Sequence, residues 1–209
     1  MFRVFFLIFE PGVAWERIAQ ARRGYVFILL TYLLPIILLA TAVEGWGLLQ
    51  WGKWQPYFKK TRVFSETTVL HFEILQALLL LAVVFISAAL LHVASQNFHG
   101  RRTYLQVFTT VAYSFSPLFL LHLLNAGPAM PPAVPWAIGI VLTIWILYQG
   151  VPRVLSPDPA HAFGIYLSAV FIVVLASGMT RLLTAMFLLG QFNFTHSWFT
   201  RELGKFLGQ

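Results

Sequence analysis

The sequence predicts an all-α integral membrane protein: a bundle of about five transmembrane helices preceded by a short interfacial amphipathic helix. Three observations lead there. Of 209 residues, 59% are hydrophobic and 10% carry a formal charge, whereas soluble domains are about a quarter charged. The mean hydropathy is +0.77, too apolar for a surface that water covers. The few charges mark the ends of runs near the roughly 20 residues that a membrane helix needs.

The elements follow in order. Met1–Phe9 is a short apolar stretch with Glu10, Pro11 and Gly12 directly behind it. No small-residue cleavage site follows, so it reads as an anchor that the mature protein keeps. Within Pro11–Ala21, Trp15 and Ile18 share a face against Glu16, Arg17 and Gln20. That pattern suits a helix lying in the membrane interface, within a cytoplasmic segment 1–23. The first uncharged run is Gly24–Val43, closed by Glu44, and the second begins at Ile74 after Glu73 and runs to Phe98. No charge then occurs from Thr103 to Pro152, too long for one span, and the Pro-rich stretch from Asn125 to Pro135 divides it. Proline removes a backbone donor and disfavours helix before it. The predicted spans are 24–43, 74–95, 103–124, 136–150 and 161–180, within a membrane domain 24–190 ahead of a tail 191–209. Arg181–Phe194 reads as a continuation of the fifth helix or an interfacial segment. Trp46, Trp51, Trp54, Tyr57 and Phe58 crowd the region after the first span, where aromatic rings anchor at headgroup level.

Seven basic residues fall on each side of the predicted bundle. Arg22, Arg23, Arg101, Arg102 and Arg153 lie closest to span ends, which favours a cytoplasmic N-terminus, with the cell inner membrane expected if the chain is prokaryotic. The net charge of +7 is scattered at these ends, suiting anionic headgroups and not nucleic acid. With no cysteine, thiolate chemistry and disulfides are excluded.

Polar residues within the spans are few. His92 and His122 fall at opposite ends of their spans, which argues against a shared haem. His71, Glu73 and His122 on one side, and His99, Asp158 and His161 on the other, are alternative relay or weak metal groups, without zinc-site spacing. No phosphate loop, nucleophile elbow or paired intramembrane carboxylate is evident, and no cofactor is expected. Pro35 and Pro117 interrupt the first and third spans, with Thr109, Thr110, Ser114 and Ser116 beside Pro117. Plain kinks stabilised by hydroxyls are one reading, and a gate or substrate site is the other. In the fifth span Gly164 and Ser168 lie four apart on one face, a small surface for helix packing within the chain or against another membrane protein.

Several short motifs carry a resemblance: Glu10-Pro11 before Trp15, Gly100 opening the third span, and Tyr113-Ser114-Phe115-Ser116-Pro117 within it. Leu147-Tyr148-Gln149-Gly150-Val151-Pro152, ahead of Arg153, closes the fourth span before His161-Ala162-Phe163-Gly164-Ile165-Tyr166. In this order they resemble the Yip domain family of five-span membrane proteins. The resemblance implies a five-helix bundle with a cytoplasmic N-terminus and, in eukaryotic members, roles in vesicle traffic and contact with Rab-type GTPases. Those members carry an extended cytosolic N-terminal region, whereas about twenty residues precede the first span here, which speaks against GTPase binding and likens the chain to compact prokaryotic relatives. The functional expectation is a non-enzymatic scaffold or accessory subunit that contacts lipid and another membrane protein or itself. The competing expectations are a small transporter or channel lined by Thr109–Ser116, and a lipid-directed enzyme using His71, Glu73 and His122.

Overall fold

In the computed structural model, residues 2–21, 23–55, 60–97, 103–128 and 130–189 are described. Arg22, Tyr57, Phe58, Lys59, His99, Gly100, Arg101, Arg102 and the tail from Gly190, with Arg201 and Lys205, lie outside them. Two short helices open the chain, α1 (Phe2–Phe9) and α2 (Pro11–Ala21). Pro11 begins the second, where its missing N–H has no intrahelical acceptor to lose.

Five helical stretches are then long and apolar enough to cross a membrane: Tyr25–Gln50, Glu66–Asn97, Tyr104–Ala126, Ala133–Leu155 and Ala162–Leu188. The first consists of α3 (Tyr25–Ile28), a π-helical turn (Leu29–Leu33) and α4 (Leu34–Gln50). Pro35 explains the turn. A proline ring collides with the carbonyl four residues back, here Thr31, and the wider π turn makes room for it. The second span is α5 (Glu66–Asn97). The third breaks at Phe115 into α6 (Tyr104–Ser114) and α7 (Ser116–His122), followed by a 3-10 turn (Leu123–Ala126). Thr103 and Gln106 cap the start of α6 reciprocally, each side chain taking the other's backbone N–H at 3.4 and 3.0 Å. The fourth span is α8 (Ala133–Gly150) with a π-helical extension (Val151–Leu155) around Pro152, and the fifth is α9 (Ala162–Leu188).

Strands β1 (Lys53–Gln55) and β2 (Lys60–Arg62) form an antiparallel ribbon after α4, pairing Lys53 with Arg62. Gly52, at φ 66°, turns the chain from α4 into the ribbon, a conformation that a side chain resists.

Spans two and three organise the packing. Helix α5 lies against α4, α6 and α9, while α7 packs on α8 and α2 docks beside α8. Phe108, Val111, Phe115 and Phe119 from the third span are fully buried among Leu33, Ile37, Val84, Leu91, Ile146 and Leu147. A smaller apolar group of Leu48, Phe64, Val69 and Phe72 closes the ribbon end against Phe187 and Leu188. At Gly47 a Cβ would stand 2.6 Å from the Ala126 Cα, so only glycine lets α4 approach the end of the third span this closely.

The helices outrun the spans expected from charge alone. Glu44 was expected to end the first span after Val43, yet α4 continues to Gln50 with Glu44 3% exposed. Glu73 was expected to precede the second span, yet α5 starts at Glu66. A carboxylate ends a span only when water must solvate it, and protein partners can replace water. The fourth helix begins at Ala133, ahead of Trp136, because Pro135 fits its first turn. The fifth continues through Arg181 to Leu188, while residues 190–194 of that segment lie outside the described residues. Trp46, expected after the first span, is part of α4, with its ring 5.0 Å edge-on from Trp51.

Candidate functional site

The ribbon end of the bundle gathers polar side chains from three successive spans. Glu44 comes from α4, Gln76 from α5 and His122 from the last turn of α7. His122 Nε2 stands 2.7 Å from Glu44 Oε2 and 2.7 Å from Gln76 Nε2. The Gln76 amide also donates to Glu44 Oε2. On the other side of the ring, Asn125 Nδ2 lies 3.2 Å from His122 Nδ1. An amide donor there leaves Nδ1 to accept, so the ring proton sits on Nε2 and is directed at Glu44. A carboxylate withdrawn from water inside an apolar bundle requires such partners, because an isolated one costs several kcal/mol or more.

Two further charges adjoin the pair. Lys53, 6% exposed at the start of β1, turns inward and donates to the Asn125 and Gly127 carbonyls. Burial pulls its ammonium below the ordinary lysine range, and the Glu44 carboxylate opposes that fall. Glu73 lies against Gly45, with its Oε1 3.3 Å from where a Cβ would project. It is within electrostatic reach of Glu44, and neither of its oxygens has a hydrogen-bond partner among the described residues. Glu44 and Glu73 are therefore neighbouring carboxylates within the spans, the arrangement that the sequence reading missed. Read along the chain, each marks the boundary of a span, and only the antiparallel pairing of α4 and α5 brings them to the same level.

Glu44, Lys53, Gln76, His122 and Asn125 line one side of a cavity of about 280 Å³, and Arg181, Thr180 and Thr184 from α9 line another. Phe72, Leu80, Val83, Leu118 and Leu188 supply apolar wall between them. Arg181 lies over the Trp136 ring, its Cζ 5.2 Å from the centroid, a cation–π contact that holds the guanidinium at the rim. The arrangement can relay a proton along Glu44 and His122, or hold a polar group against charged side chains while apolar walls take its tail.

The groups named from sequence fare differently. His71 is exposed on α5, and among the described residues no hydrogen bond joins it to Glu73 or His122. His92 stacks edge-on with Tyr104 at 5.8 Å, about 24 Å of helix rise from Gln76, which lies beside His122. His161 Nδ1 is 3.8 Å from Asp158 Oδ2, while His99 lies outside the described residues. Among the described residues no three His, Asp or Glu side chains form a metal-binding group.

At the opposite end two of the motif residues, Tyr113 and Gly150, meet Trp15. Its indole N–H donates to the Ile146 carbonyl at 3.1 Å, and its ring lies edge-on to Tyr113 at 6.3 Å. Gly150 faces the same indole, where a Cβ would come within 2.6 Å. Arg153 donates to the Gln149 carbonyl at 3.0 Å and to its amide oxygen at 2.6 Å, and rests beside Gly12. Pro152 is exposed in the π turn. Tyr148 is 57% exposed between Trp145 and Tyr166, at ring distances of 6.4 and 5.6 Å, the disposition of an interfacial aromatic. At the Pro117 break, the Tyr32 hydroxyl meets Ser116 Oγ, which donates to the Tyr113 carbonyl. That carbonyl is the one deprived of a partner by the proline. Ser114 is buried, and its hydroxyl has no partner among the described residues. Gly164 and Ser168 are half-buried on α9, with the Ser168 hydroxyl donating to the Gly164 carbonyl at 2.8 Å.

A family model described as the Yip1 domain matches residues 5–179. That range takes in Trp15, the Pro117 break and Gly150. No curated protein and no solved structure matches the chain.

Proposed function

Because this chain belongs to the Yip1 domain family and is a multi-pass membrane protein, we propose that it is a non-enzymatic scaffold or accessory subunit of a larger membrane assembly. One observation carries this reading: the spans are enclosed very unequally. An 18-residue stretch of the third span is 72% buried, whereas one of the fifth is 22% buried. Helix α9 buries a single file of Ile165, Ala169, Val173 and Ser177 and leaves Phe163, Leu167, Phe171 and Leu175 exposed. Half-buried Gly164 and Ser168 adjoin that file, and small residues admit a neighbouring helix closely. The N-terminus is cytoplasmic in this reading, supported by the arginines next to the span ends. Gentle extraction followed by native mass analysis tests it. A stoichiometric companion, lost on Gly164→Leu or Ser168→Leu, is the expected outcome, and a chain that always runs alone contradicts it.

A small transporter or channel is the second reading, favoured by the Glu44–His122 pair facing its cavity. Ionisable groups at such depth mark ion or proton paths in many membrane proteins. It predicts a proton or ion flux in reconstituted vesicles that Glu44→Gln abolishes, and vesicles that stay tight to every ion tried would remove it.

A further inference from the structure

We propose that a second cavity, between α1, α2 and α6, binds the phosphate of an anionic phospholipid headgroup. It measures about 360 Å³, and its lining includes Arg17, Arg23, Tyr113, Phe6 and Ile18. It is distinct from the Glu44 cavity and independent of the function proposed above.

Cationic lining comes first. Among the described residues no carboxylate pairs with Arg17 or Arg23. Arg23 instead lies over the Phe27 ring, its Cζ 4.6 Å from the centroid, which steers the guanidinium without neutralising it. Two uncompensated guanidiniums beside one concavity favour an anion, and their forked donors match phosphate oxygens.

Tyr113 is the independent observation. It is 1% exposed, with its ring fixed 4.3 Å from Tyr32 and 6.3 Å from Trp15. Its hydroxyl nevertheless has no hydrogen-bond partner among the described residues, although it lines the cavity. A hydroxyl on an otherwise buried ring, with no protein partner, is a donor free to meet an acceptor in the cavity that Tyr113 lines. Thr109, also in the lining, is already committed to the Leu105 carbonyl at 2.7 Å.

Position and walls identify the source of the phosphate. Arg23 stands two residues ahead of the first span, at headgroup level. Tyr113 is deeper in α6, but helical side chains lean towards the helix N-terminus, which carries its hydroxyl part of the way back towards that level. Phe6, Ile18 and Ala21 give the cavity apolar surface, which suits the glycerol and acyl base of a lipid and offers inorganic phosphate nothing. A zwitterionic headgroup would bring a cation towards two unpaired cations, so an anionic one is preferred.

The test is native mass analysis of the full chain from nanodiscs holding equal phosphatidylglycerol and phosphatidylcholine. Wild type should retain phosphatidylglycerol at least about tenfold in preference, and Arg17→Gln with Arg23→Gln should bring the two lipids to parity. Tyr113→Phe keeps the ring and the net charge and removes only the hydroxyl. It should lower the preference by about tenfold, the worth of one hydrogen bond to a charged group, with the unfolding temperature unchanged. Parity in wild type, or full preference in Tyr113→Phe, would overturn the proposal. Displacement of the lipid by millimolar inorganic phosphate, but not by chloride at equal ionic strength, would assign the cavity to free phosphate and overturn the lipid assignment.

Discussion

Glu44 is 3% exposed in a span, so its partners set its energetics. Removing one partner leaves the other's buried polar group unpaired, at about 3–5 kcal/mol when the group left is the Glu44 carboxylate, whereas replacing both with apolar groups costs far less. Glu44→Leu and His122→Leu should therefore each destabilise strongly in detergent unfolding. The double variant should fall short of their sum by about 1–3 kcal/mol, and strict additivity would mean that the two side chains do not act as a pair. Gly150→Ala tests the other end. Its methyl would meet the Trp15 indole at 2.6 Å, an overpacking worth about 1–3 kcal/mol. Gly178→Ala, whose Cβ would find its nearest contact at 4.0 Å, is the neutral control in the same unfolding assay. In the sequence Gly150 was legible as a helix stop and Glu44 as a boundary. Neither reading reached the real role, because a glycine that admits an indole and a glutamate that meets a histidine 78 positions away depend on tertiary approach.

At the scale of elements, each span proline has its own accommodation. Pro35 follows a π turn, Pro152 lies inside one, and Pro117 follows a break whose orphan carbonyl is taken by Ser116. Ser116→Ala should cost about 1 kcal/mol, the worth of a hydrogen bond lost at a buried carbonyl. Adding Pro117→Ala should recover part of that loss, because the new backbone N–H can reach the same carbonyl. Equal unfolding of the single and double variants would show that Ser116 serves another purpose. Five spans and the Pro117 kink were readable in the sequence, since apolar length and proline chemistry act locally. The extents of α4 and α5 were not. A search bounded by formal charge stops at Glu44 and Glu73, and only the antiparallel pairing of the two helices reveals that both charges lie inside.

For the whole molecule, the same division between local and tertiary causes applies. Membrane class, span count and family motifs were legible from composition and order, and Tyr113 and Gly150 were visible without the Trp15 ring that both meet. The ribbon-end cavity draws on residues from Glu44 to Leu189, and no spacing along the chain announces it. In the scaffold reading proposed above, α9, held by one file of residues, is the side on which the chain would meet a larger assembly. Native mass analysis of the protein, extracted gently from its own membranes, tests that claim most directly. The account predicts a companion chain in fixed ratio that Gly164→Leu or Ser168→Leu releases while the five-helix bundle stays folded. A bare monomer in every gentle extraction, unchanged by either substitution, would contradict it.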